Sequence, residues 1–115
     1  MRVTNAPASR ERRRRRLALA KGFYGARSKL FRTATEAVDR ALSLSTEHRK
    51  LRKRDFRQLW IARINAASRA EGISYSKLMA GLIKAGVTLN RKMLSEIAIN
   101  DPAGFKTLVD IAKNA

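Results

Sequence analysis

The chain has 115 residues, with 26 Lys+Arg against 9 Asp+Glu, a formal net charge of +17. That length fits one domain, or one small domain plus an arm. The absence of cysteine excludes disulfides, thiolate metal sites and cysteine nucleophiles, and the single histidine, His48, excludes a histidine-cluster metal site.

A hydrophobic fraction of 44% is enough for a folded core. No apolar run approaches the roughly 18 residues of a membrane span. Leu17-Ala18-Leu19-Ala20 is too short for the apolar stretch of a secretory signal. The Arg-rich, acid-poor start has the composition of a mitochondrial transit peptide, but the basic character continues far beyond such a segment's length. Charge is uneven: residues 1–60 hold 18 Lys/Arg against 5 Asp/Glu, and residues 61–115 hold 8 against 4. Self-repulsion in the first half opposes compaction, so that half is expected to need a polyanion to hold its shape.

Residues 1–8 show no periodicity and read as an extended tail. Ser9 reads as an N-cap, with Glu11 in the first turn of a basic helix over about residues 10–21. Gly22 stops it, and Gly22-Phe23-Tyr24-Gly25 reads as a turn holding two aromatic rings. From Arg27 to Ala70 there is neither Pro nor Gly. As one helix this stretch would run roughly 65 Å. Leu30, Ala34, Ala37, Ala41 and Leu44 make one apolar stripe. Ser43, Ser45 and Thr46 are weak helix formers, so residues 43–48 are where the long helix could break or kink, and the sequence does not decide its continuity there. Phe56, Trp60 and Ile64 follow at i, i+4, i+8 on one face; Phe56 and Trp60 are read as the junction between the long helix and a globular core, with stacking on bases as the second reading.

Gly72 ends that helix. Ser74 caps a helix over about 75–85, which Gly86 ends, and Asn90 caps another over about 91–99. Asp101-Pro102 pairs a capping carboxylate with proline at the first helical position. The last helix carries Phe105, Leu108, Val109 and Ala112 on one face, with Ile111 at its edge. No stretch alternates with period two. The fold class expected is all-α: a long basic N-terminal helical extension over residues 1–58 and a small globular all-helical domain over 59–115.

Three features carry chemistry. In Arg12-Arg13-Arg14-Arg15-Arg16, successive helical side chains stand about 100° apart, so five ring the whole circumference. Using all of them requires phosphate on every side, as in a rod threaded into folded RNA. Guanidinium suits that role because it binds phosphate bidentately and stays charged. A solvated polybasic tail would look alike in isolation. In Arg49-Lys50-Leu51-Arg52-Lys53-Arg54-Asp55-Phe56-Arg57, six of nine residues are cations facing one acid. Local ion pairing cannot satisfy them, and phosphate contact follows. Phe23 and Tyr24 sit between basic segments; a ring there either stacks on an unpaired base or packs locally on Leu17 or Leu30. His48 has no partner cluster, and the Ser, Asp and Glu residues form no nucleophile or paired-carboxylate arrangement. No phosphate-binding glycine loop appears. Neither an enzyme nor a cofactor is expected.

Lys53-Arg54-Asp55-Phe56-Arg57-Gln58-Leu59-Trp60-Ile61-Ala62-Arg63-Ile64-Asn65-Ala66-Ala67 resembles the signature block of the bacterial large-subunit ribosomal protein L-twenty family. Ala20-Lys21-Gly22-Phe23-Tyr24-Gly25-Ala26-Arg27-Ser28 is similar to that family's second hallmark, and Gly72-Ile73-Ser74-Tyr75-Ser76 to its entry into the globular part. The resemblance covers essentially the whole chain. Met1–Ser9 and Leu42–His48 depart from it in being poorer in cations.

The resemblance implies a structural constituent of the large ribosomal subunit, in the cytoplasm of a bacterium or in an organelle. It implies direct binding of large-subunit ribosomal RNA, neighbouring ribosomal proteins as partners, and a role in early subunit assembly. Some members also repress their own messenger RNA through the C-terminal domain. By position, Lys21, Arg27, Lys53, Arg54, Arg57 and Arg63 match basic positions of the motifs, and Asn65 is a polar candidate for RNA contact. Lys29 and Arg32 complete the candidate set with the two cationic runs. The alternative is a DNA-binding regulator, because residues 74–99 read as helix, Gly-containing turn, helix. Lys77, Lys84, Arg91 and Lys92 against Glu96 give that unit a weak field. Membrane-surface binding ranks below both, because the 30–44 stripe is largely alanine and has no Trp.

Overall fold

In a computed structural model the described residues are 4–115, and all their regular structure is helical. The helices are α1 (Ala6–Ala18), α2 (Ala26–Lys29), α3 (Phe31–Ala70), α4 (Tyr75–Lys84), α5 (Arg91–Asn100) and α6 (Pro102–Asn114). They group into two compact units, one reaching to Lys50 and the other Leu51–Ala115, with α3 contributing to both.

In the first unit, α1 begins at Ala6, four residues before its expected start, with Pro7 in its first turn and Asn5 in the capping position. Proline suits the first turn, where its missing N–H has no partner to lose. The tail expected over residues 1–8 is therefore corrected for Ala6 to Ala8; its Met1 to Val3 part lies outside the described residues. Ser9 is inside the helix, and Glu11 sits one turn further in than expected, pairing with Arg15.

Gly25 has φ 57° and ψ −130°, a backbone that a side chain would strain, and opens α2. The single helix expected from Arg27 is broken at Leu30, whose φ −85° and ψ 121° are extended. Its carbonyl then accepts from the Ala34 N–H at 2.8 Å, opening α3. The helix does not break near 43–48, and α3 runs through that stretch. The Thr46 hydroxyl donates to the Leu42 carbonyl at 3.2 Å, and the Ser45 hydroxyl accepts from Arg49 at 2.7 Å. The hydroxyls are thus engaged without breaking the helix. Ala20, Ala34 and Val38 are buried in this unit, with Leu17 and Phe23 packed against them.

The second unit is held by a larger cluster: Ile64 of α3, Ile73, Leu78 and Leu82 of α4, Leu94 of α5, and Phe105, Val109 and Ala112 of α6. Its helices end and begin where the local signals place them. The Gly72 N–H donates to the Arg69 carbonyl and the Ile73 N–H to the Ser68 carbonyl, the paired bonds of a left-handed C-terminal cap. Gly72 holds φ 77°, the conformation that closing turn requires. Gly86 and Val87 repeat the pattern on Ile83 and Leu82. Ser74, Asn90 and Asp101 accept from the N–H groups of Lys77, Met93 and Gly104. At Gly81, α4 meets α6 so closely that a Cβ would stand 2.2 Å from the Ala112 carbonyl oxygen. Lys113 Nζ donates to the Glu71 carbonyl at 2.9 Å, tying α6 to the end of α3.

Phe56 and Trp60, expected at the junction with the core, stand outside this cluster. Phe56 is 48% exposed and Trp60 half-buried, whereas Ile64 is fully buried. Each four-residue step turns about 40° beyond a full circle, so Phe56 lies roughly 80° around the helix from Ile64.

Candidate nucleic-acid interface

The arginine run lies on α1 but does not present a uniform ring. Arg12, Arg13, Arg14 and Arg15 are exposed and Arg16 is half-buried. Arg16 forms an ion pair with Asp39 of α3, and Arg15 pairs with Glu11 at 3.1 Å. The Arg13 guanidinium lies 5.9 Å from the centre of the Phe31 ring. Arg12 and Arg14 are free of any such contact among those found in the described residues. Exposed pairs of this kind contribute at most about 1 kcal/mol, so a phosphate can displace them.

Lys21, Arg27, Lys29 and Arg32 are all exposed around the turn and the start of α3. The two readings of the turn aromatics resolve differently for each ring. Phe23 packs locally on the Ala20–Ala34–Val38 cluster, as does Leu17. Tyr24 is 95% exposed. It edges a shallow groove with Arg27, Ala37, Ala41 and Leu44. Arg40 also lines that groove; the sequence reading omitted it because the groove joins residues far apart along the chain.

The second cationic run lies on α3. Arg49, Lys50, Arg52, Lys53, Arg54 and Arg57 are exposed, and none forms an ion pair among the described residues. Arg49 is held by the hydroxyls of Ser45 and Thr46 at 2.7 and 3.1 Å. Within the second unit, Arg52, Lys53, Arg57 and Arg63 surround an open groove floored by Phe56, Leu59 and Trp60. Lys92 and Glu96 of α5 form its other wall. Lys92 was missed as a site residue because no local signal links it to α3. Asn65 is half-buried and its side-chain oxygen accepts from Arg69 at 3.3 Å.

No group of three or more His, Cys, Asp or Glu that could hold a metal ion is found among the described residues. Nor is any described helix long and apolar enough to cross a membrane. Exposed cations without acidic partners can bind an anion such as phosphate.

Comparison with known proteins agrees with this chemistry. The family model described as ribosomal protein L20 matches residues 2–108. The large ribosomal subunit protein bL20 of Clostridium botulinum is 61% identical over 112 residues, covering 97% of this chain and 94% of the relative. The protein of the same name from Clostridium acetobutylicum is 60% identical over the same length and coverage. The family is one of ribosomal constituents rather than enzymes, and this chain, matched over nearly its whole length, belongs to the ribosomal protein L20 family.

Proposed function

We propose that this protein is a constituent of the large ribosomal subunit that binds large-subunit ribosomal RNA directly and promotes early subunit assembly. The observation that carries the proposal is the exposed run from Arg49 to Arg57, whose cations form no ion pair among the described residues. Arg12 to Arg16, Lys21, Arg27, Lys29 and Arg32 are the further candidate contacts of the first unit, and Arg63 and Asn65 those of the second. The cations offset phosphates of RNA segments that would otherwise repel one another. In this reading residues 1–58 enter the RNA and 59–115 form the globular domain, a boundary placed by charge. Neighbouring ribosomal proteins are its further partners and the cytoplasmic ribosome its location. Binding of its own messenger RNA by the C-terminal helices is included on the strength of the family resemblance alone.

Titration of the full-length protein against structured large-subunit RNA tests the proposal. If about 6–10 phosphates are neutralised, affinity falls by about 10³–10⁵ between 50 and 200 mM salt. An affinity indifferent to salt rejects it. Duplex DNA in a parallel titration tests the regulator reading, and tighter binding to the duplex favours that alternative. The helix order of α4 and α5 is what supports it, but Arg91 there is engaged by the Tyr75 hydroxyl at 2.9 Å.

A further inference from the structure

The groove on the second unit has a feature that phosphate binding does not use. Its floor is aromatic and apolar, while its rim is cationic. Phe56 and Trp60 lie 6.2 Å apart between ring centres, tilted by 36°. Leu59 beside them is 41% exposed. Burying these rings in the core would have explained them, but the core uses the face of Ile64 instead. Phosphate alone gives no reason for an exposed ring and a half-buried one among five cations.

We propose that Phe56 and Trp60 form a stacking platform for one unpaired nucleobase of the bound RNA, with Arg57 and Lys92 holding the flanking phosphates. This rests on the RNA-binding reading above and gives it a base-contacting site. The occupant follows from charge and shape. Arg52, Lys53, Arg57, Arg63 and Lys92 face only Glu96 in the groove, which calls for a polyanion. Among polyanions, nucleic acid also offers a flat π-face, and only unpaired bases expose it.

The geometry also states how the base sits. A base sandwiched between two rings needs them nearly parallel and roughly 7 Å apart, twice the ~3.4 Å spacing of stacked bases. Rings 6.2 Å apart and tilted by 36° are too close and too inclined for that. The base therefore lies over the open face of the pair rather than between its members. Such a platform reads no base edge and tolerates any base. Arg57 and Lys92 come from α3 and α5, so phosphates on both sides of the stacked nucleotide meet a cation.

Trp60 is the only tryptophan, so its fluorescence reports on this groove alone. The full-length protein is titrated with oligoadenylate, with inorganic polyphosphate of equal charge, and with blunt duplex RNA. Oligoadenylate is expected to quench Trp60 saturably, because a base stacked on the indole meets its π-face. Polyphosphate and duplex are expected to bind with little quenching, because neither presents a free base face. Phe56→Leu is expected to weaken oligoadenylate binding by roughly 5- to 150-fold and leave polyphosphate binding unchanged. Trp60→Phe keeps a ring and should retain affinity that Trp60→Leu loses, with circular dichroism confirming the fold of each.

Binding of oligoadenylate without quenching, or equal quenching by polyphosphate, overturns the platform and leaves the phosphate-binding reading standing. Binding of none of the three probes overturns both.

Discussion

The two units of this chain are ordered by different means. In the second, eight buried side chains from four helices and the α3–α4 loop share one cluster, and every helix start after α3 carries a capping side chain. In the first, the buried set is Ala20, Ala34 and Val38. Two of those three are alanines, so little apolar area leaves water, at about 0.8 kcal/mol per buried CH₂. Asn5 makes no capping bond at the start of α1. The first unit also carries most of the positive charge. Burial holds the second unit; the first is balanced between weak burial and self-repulsion, and an external anion shifts that balance.

The largest effect expected from this contrast is in amide hydrogen exchange. With structured large-subunit RNA at about 100 times its Kd, protection of α1 should rise about a hundredfold. The core amides of α4 to α6, already held by burial, should gain less. Equal gains in both units would erase the distinction. Core truncation sharpens it further. Leu94→Ala removes a fully buried side chain from the larger cluster and is expected to cost about 2–5 kcal/mol in urea unfolding. Val38→Ala should cost less, about 1–2 kcal/mol, and leave the unfolding of the second unit in place.

Gly81→Ala tests packing at a single contact. Its Cβ would meet the Ala112 carbonyl, so the helices must part, at a cost of about 1–3 kcal/mol read from the same unfolding curve. The smallest effect compares two caps. Asp101→Ala loses the bond to the Gly104 N–H, a 2.9 Å contact, and should cost about 1 kcal/mol. Asn5→Ala loses no such bond, and its melting midpoint should stay where it is.

What the sequence made legible follows the same division. The boundaries at Gly72, Ser74, Gly86, Asn90 and Asp101 were readable because each is set by a side chain or glycine acting on its own few residues. The Phe105–Val109–Ala112 face was readable from its spacing, and Ile111 at its edge is 40% exposed. The break at Leu30 was not readable, because no Gly or Pro marks it. The start of α1 at Ala6 is hidden in the sequence because Pro7 suits an extended tail as well as the first turn of a helix. The continuity of α3 through 43–48 was not readable, because a hydroxyl such as that of Thr46 can bond within the helix, as it does to the Leu42 carbonyl, or compete with it, and composition does not decide which.

The candidate site divides likewise. The cationic runs were plain, since an excess of charge needs no tertiary structure to recognise. The placing of Phe56 and Trp60 was not, because a four-residue repeat drifts around the helix and does not say which of its members meets the core. The joining of Lys92 to the α3 cations depends on a contact across helices.

The close approach of α4 to α6 at Gly81 bears on inheritance. Any codon change there that alters the amino acid adds at least a methyl group against the carbonyl of Ala112. A lineage that accepts such a change carries its cost in stability until a companion change lets the final helix shift outward. Position 81 thus tolerates less drift than exposed positions of α4 such as Ile83, and joins Leu78 and Leu82 among the positions of that helix that packing restrains.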